Sequence, residues 1–141
     1  MAKNNSYLDS MVKNYGDNWI VTVTPDNIQR SAKRVFKDMV RGSIDYQKLG
    51  KYFLDGKFID NLIIACSNEL EINTVYYNAM CFYIQYNPNI PNLNVHANHL
   101  RALCYIYQVI LNKLNSVKST GNIGFLADTS SLLYTYKNHL N

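Results

Sequence analysis

VYYNAMCFYIQYNPNIPNLN, residues 75–94, decides how this chain is read. At about 100° per residue, Glu71, Thr74, Asn78 and Gln85 fall on one narrow stripe, and the rest of Val75–Tyr86 is apolar or aromatic. A helix that is apolar nearly all round is buried nearly all round. Residues 75–86 are therefore expected to be either the central helix of a bundle, or a helix with one face on the core and another on a neighbouring chain. The next eight residues, NPNIPNLN, hold two prolines and four asparagines and read as a loop.

Working upstream, residues 57–86 form a long helical region whose first half presents Phe58, Ile59, Leu62, Ile63, Cys66 and Leu70. A break or kink is expected near Glu71–Asn73, where SNELEIN interrupts the apolar pattern. Residues 44–54 read as a shorter helix after Ser43, with Gly56 as separator. TPDNIQRSAKRVFKDMVRG, residues 24–42, is the clearest element. Thr24 suits the N-cap, Pro25 the first helical position, Asp26 the helix dipole and Gly42 the stop. Its Ile28, Ala32, Val35, Phe36, Met39 and Val40 make one apolar stripe. NSYLDSMVKNY, residues 5–15, is a short helix with Leu8, Met11, Val12 and Tyr15 on one face.

Downstream, a helix is expected over about 96–115, with Leu100, Leu103, Cys104, Tyr107, Ile110, Leu111 and Leu114 on its main face. SVKSTGNIG, residues 116–124, reads as a polar loop. A last helix over about 128–139 starts at Asp128 or Thr129 and shows Leu132, Leu133, Tyr136 and Leu140. The strand-like segment is WIVTVT, residues 19–24. A lone strand cannot satisfy its own backbone. It is either an extended piece lying on the helices or a strand that pairs with another chain. The fold class is thus all-α: a helical bundle of about five to six helices with a short extended N-terminal segment. One domain covers the 141 residues, with 1–24 as an arm and 25–141 as the bundle.

The totals bound the function. No apolar run reaches transmembrane length, and MAKNNSYLDS lacks the apolar core of a signal peptide, so no membrane is expected and the chain is read as cytoplasmic. Cys66, Cys81 and Cys104 sit in apolar helical patterns and read as reduced buried thiols. The net charge of +4 permits an acidic partner or nucleic acid without demanding one.

No catalytic, cofactor or metal signature stands out. Cys104 lies five residues past His99, on a different part of the helix surface, so no Cys–His pair is formed. His96 and His99 have the i, i+3 spacing that lets two metal ligands converge, but no acidic residue nearby completes a set. Glu69 and Glu71 are two apart and do not share a helix face. STGNIG lacks the lysine of a phosphate loop. The chain is read as a non-enzymatic protein without cofactor.

Two features remain. Arg30, Arg34, Lys37 and Arg41, with Lys33 at the margin, hold five of the 14 basic residues and line the side of the 24–42 helix opposite its apolar stripe. Such a stripe meets a phosphate backbone, an acidic protein or solvent. A helix-turn-helix would place its cations on the following helix, which carries only Lys48 and Lys51. The second feature is a crowd of tyrosines in the later half, residues suited to surfaces half apolar and half wet. Candidate subunit contacts are Tyr76, Tyr77, Tyr83 and Tyr86, with Ile90 and Leu93 of the loop and Trp19, Val21 and Val23 of the strand-like segment.

Asn, Tyr, Ile and Lys supply 53 of the 141 residues, and all four have AT-rich codons, as in many low-GC bacteria and their phages. The layout resembles the small helical virion proteins of tailed phages, of the head–tail adaptor or ring type. The resemblance rests on a short N-terminal helix, the extended WIVTVT, the capped basic helix, and a bundle with an Asn/Pro loop. It implies a homo-oligomeric ring contacting other virion proteins, found in the virion and, during assembly, in the host cytoplasm. The basic helix would then face acidic protein or packaged DNA. A small nucleic-acid-binding protein and a phage inhibitor of a host protein are the alternatives.

Overall fold

The computed structural model describes residues 6–15 and 25–127, together with Leu132, Tyr134, Tyr136 and Lys137. The fold is all-α: α1 (Tyr7–Tyr15), α2 (Pro25–Arg41), α3 (Tyr46–Phe53), α4 (Gly56–Tyr86), α5 (Leu93–Thr120) and α6 (Gly124–Ala127). Among the described residues no strand occurs. WIVTVT, with Trp19, Val21 and Val23, lies outside the described residues, as does most of the helix expected over 128–139. The four described residues of that last stretch are helical.

Local chemistry sets each helix start. Ser6 accepts the Asp9 N–H at 3.1 Å, capping α1. The next backbone N–H, that of Tyr7, donates to the Asp38 carboxylate and ties α1 to α2. Asp45, rather than Ser43, caps α3, accepting the N–H groups of Gln47 and Lys48 at 3.1 and 3.3 Å. The Ser43 hydroxyl instead donates to the Asp38 carbonyl at the end of α2. Asp55 caps α4 through Lys57 and Phe58 at 2.9 and 3.0 Å, so Gly56 opens that helix. Gly42, at φ 70°, ends α2 in the left-handed conformation glycine tolerates.

α4 and α5 dominate the molecule. With 31 and 28 residues they run about 46 and 42 Å, and a loop over residues 87–92 folds them into one antiparallel hairpin. The other helices gather at its base. There Leu8, Val35, Phe36, Met39, Phe53, Cys66, Ile110, Leu114 and Leu126 are fully buried in one core. Three rings, Tyr46, Phe53 and Phe58, pack with centroids 5.3–5.4 Å apart where α3 meets α4.

Two sequence expectations change. No break occurs at Glu71–Asn73; α4 is continuous. Its polar residues bond back to their own helix, Asn73 to the Glu69 carbonyl and Thr74 to that of Leu70, both at 2.7 Å. The polar interruption marks where the multi-helix core stops, not where the helix ends. The expected boundaries of α5 also move outward, to Leu93 and Thr120. Val117 is buried in the core, and that burial holds SVKST helical despite its polar composition. Gly121, at φ 70°, then closes the helix with its N–H on Val117 O at 2.7 Å.

Candidate functional site

Beyond Asn73 no residue of α4 is buried. Among the described residues, the half of the hairpin that carries residues 75–86 stands away from the core and packs on α5. Residues 75–86 are therefore not the central helix of a bundle. Half-buried Leu70, Tyr77, Met80 and Ile84 lie on the α5 side with buried Asn73, and Ala97 and Ala102 on α5 let the two backbones approach.

The opposite side of α4 is apolar and open. Ile72, Val75, Ala79, Phe82 and Tyr86 recur at alternating steps of three and four, with Tyr76 and Tyr83 beside them, all within an arc of about 120°. Val75 is 58%, Tyr76 59%, Phe82 63% and Tyr86 68% exposed. Phe82 and Tyr86 meet in a tilted ring pair with centroids 4.8 Å apart. The polar stripe of Glu71, Thr74, Asn78 and Gln85 runs beside it. Of the interface residues expected from sequence, Tyr76, Tyr83, Tyr86 and Ile90 are exposed, and Tyr77 and Leu93 are half-buried. The tyrosine count alone missed Ile72, Val75 and Phe82; the three–four spacing was the signal that contained them.

The five cations of α2 are all exposed, and they edge a groove rather than a plain solvated face. The groove lies between α2 and α5, with a volume of about 580 Å³. Arg30, Lys33, Arg34, Lys37 and Arg41 line it with Phe36 and Val40 on the α2 side. Leu103, Ile106, Tyr107 and Ile110 form the α5 wall, and Tyr136 adds a ring. Phe36 and Tyr107 meet edge to face, centroids 5.8 Å apart. The Tyr136 hydroxyl pairs with His99 Nδ1 at 2.9 Å. The α5 wall keeps helical spacing within its own segment; what no local spacing announces is that it packs across from the cations of α2.

Not every cation is equally available. Lys33 Nζ lies 3.7 Å from the buried Glu69 carboxylate, and Arg34 stacks over the Tyr7 ring at 5.2 Å. Burial, with the Glu69 charge nearby, pushes the Tyr107 hydroxyl far above its ordinary pKa, so it stays protonated. Cys66 is buried and donates to Tyr107 O at 3.2 Å; burial first, then Glu69, pushes its thiol up to about 12. Cys81 is exposed and Cys104 partly so, against the expectation that all three thiols are buried. His96 and His99 are exposed, and no group of three or more His, Cys, Asp or Glu able to hold a metal occurs among the described residues. No helix of the described residues is long and apolar enough to cross a membrane.

Comparison with protein-family models, with curated proteins and with solved structures gives no match.

Proposed function

We propose that this is a non-enzymatic assembly protein whose working surface is the outward strip of α4, and that the strip's first partner is another copy of the chain. One observation carries the reading: seven apolar or aromatic positions from Ile72 to Tyr86 share one open face over about 21 Å. Scattered exposed apolar residues are ordinary, but a contiguous strip marks a contact surface. Alternating steps of three and four match the knobs that one helix offers another in a coiled-coil seam. The strip is self-complementary: the same face on two copies meets without opposing charges, as a two-fold contact requires. Tyrosine and phenylalanine dominate it, the residues favoured at protein interfaces.

In this reading the oligomer is a component of a tailed-phage virion, of the ring or adaptor type that the chain's layout resembles. Ile90 and Leu93 at the hairpin tip would touch neighbouring structural proteins. The test is native mass by light scattering across a concentration series, with and without duplex DNA. A large or concentration-driven oligomer indifferent to DNA supports assembly. A monomer at every concentration that binds DNA with steep salt dependence would overturn it in favour of a nucleic-acid-binding protein.

A further inference from the structure

We propose that the groove between α2 and α5 is a docking site for an acidic amphipathic helix of a partner protein. It shares no residue with the outward strip of α4, so it stands independently of self-assembly.

The occupant follows from charge, shape and length together. Five cations and no carboxylate are found among the described residues that line the groove. They are spread from Arg30 to Arg41, about 16 Å along the α2 axis. A single carboxylate or phosphate headgroup would engage one or two of them. A row of this length fits a partner that repeats negative charge along its own length. The opposite wall is apolar, built from Leu103, Ile106 and Ile110 with the Tyr107 ring. A nucleic-acid backbone would leave that wall without a partner, and none of those four α5 side chains offers the paired donors and acceptors that read base edges. A helix with apolar residues on one face and Glu or Asp beside it satisfies both walls at once. Its apolar face enters against half-buried Val40, Leu103 and the Tyr107 ring, and its flanking carboxylates meet Arg30, Lys37 and Arg41, as charge complementarity across an interface requires. Lys33, drawn toward Glu69, contributes less.

The probe is a fluorescein-labelled synthetic peptide of about 18 residues, with Leu at i, i+3, i+4, i+7 and Glu on both flanks. Its control is a peptide of the same composition with the order scrambled. Binding to the full chain is read by fluorescence anisotropy at physiological salt. The patterned peptide is expected to bind about tenfold more tightly than the scrambled one, and the double variant K37E/R41E to lose roughly tenfold. Leu103→Gln leaves every charge in place and is expected to weaken binding about fivefold through the lost apolar contact. Thermal unfolding of each variant shows that it remains folded. Equal binding of both peptides would reduce the groove to a basic surface and overturn the proposal. So would displacement of the patterned peptide by a stoichiometric amount of duplex DNA, or binding of oleate-containing vesicles in place of the peptide.

Discussion

Gln29 of α2 spends both amide protons on α4: Nε2 donates to Glu69 Oε2 at 2.8 Å and to the Ala65 carbonyl at 2.9 Å. The buried Glu69 carboxylate is thereby held where the core gives way to the bare hairpin. Gln29→Leu leaves that carboxylate with Lys33, 3.7 Å away and more than half exposed. The expected loss is about 1–3 kcal/mol in chemical denaturation, the cost of a buried acceptor deprived of its donor. Glu69→Gln keeps an acceptor for Gln29 and gives up only the looser ion pair, so its loss is expected within about 1 kcal/mol.

The outward strip of α4 separates assembly from stability. Phe82→Lys and Val75→Lys both fall on exposed positions, so each is expected to change unfolding free energy by no more than about 0.5 kcal/mol. Together they are expected to raise the self-association constant for dissociation by about a hundredfold, read by sedimentation equilibrium. Unchanged association in the folded double variant would count against the strip as the contact.

Cys66 and Cys81 are expected to behave oppositely toward an alkylating reagent. Cys81 is exposed and reacts in the native protein, whereas buried Cys66 reacts only on the timescale of unfolding. Mass spectrometry after a timed pulse of iodoacetamide distinguishes the sites. Prompt labelling of Cys66 would contradict its place in the core.

Alkali should weaken the fold through the same thiol. Below its ordinary value of 9.0, Cys66 is protonated whether folded or unfolded, and its contribution is complete. As pH rises from 9.0 toward about 12, the unfolded chain releases the proton first and stability falls. The slope is at most about 1.4 kcal/mol per pH unit for one group. Tyr107, also raised by burial, extends the decline to higher pH. Urea titrations at pH 8, 9 and 10 are expected to show the fall, and Cys66→Ala to flatten its first part. An unchanged profile in Cys66→Ala would exclude the thiol as its source.

Gly121 closes α5 at φ 70° with no neighbour near the position of an added Cβ. Gly121→Ala therefore tests backbone conformation alone and is expected to cost about 1 kcal/mol in thermal unfolding.

The amino-acid sequence by itself determined the helices and most of the core. Ala32, Val35, Phe36 and Met39 keep helical spacing within one segment, and all four are buried. Asp45 and Asp55 take the capping places that local hydrogen bonding favours. The long apolar run Val75–Tyr86 was legible as two-sided, but not as uncovered. Periodicity says which residues share a face; it does not say how many other helices reach that face. Only the tertiary structure decided that α2 meets α4 near Glu69 and α3 meets it near Phe58, leaving Val75, Phe82 and Tyr86 open. It likewise turned the cations of α2 into the rim of a groove, because the apolar wall across from them comes from α5, more than sixty residues away in the chain. Contacts at such separation follow from packing the whole chain, and no local pattern encodes them.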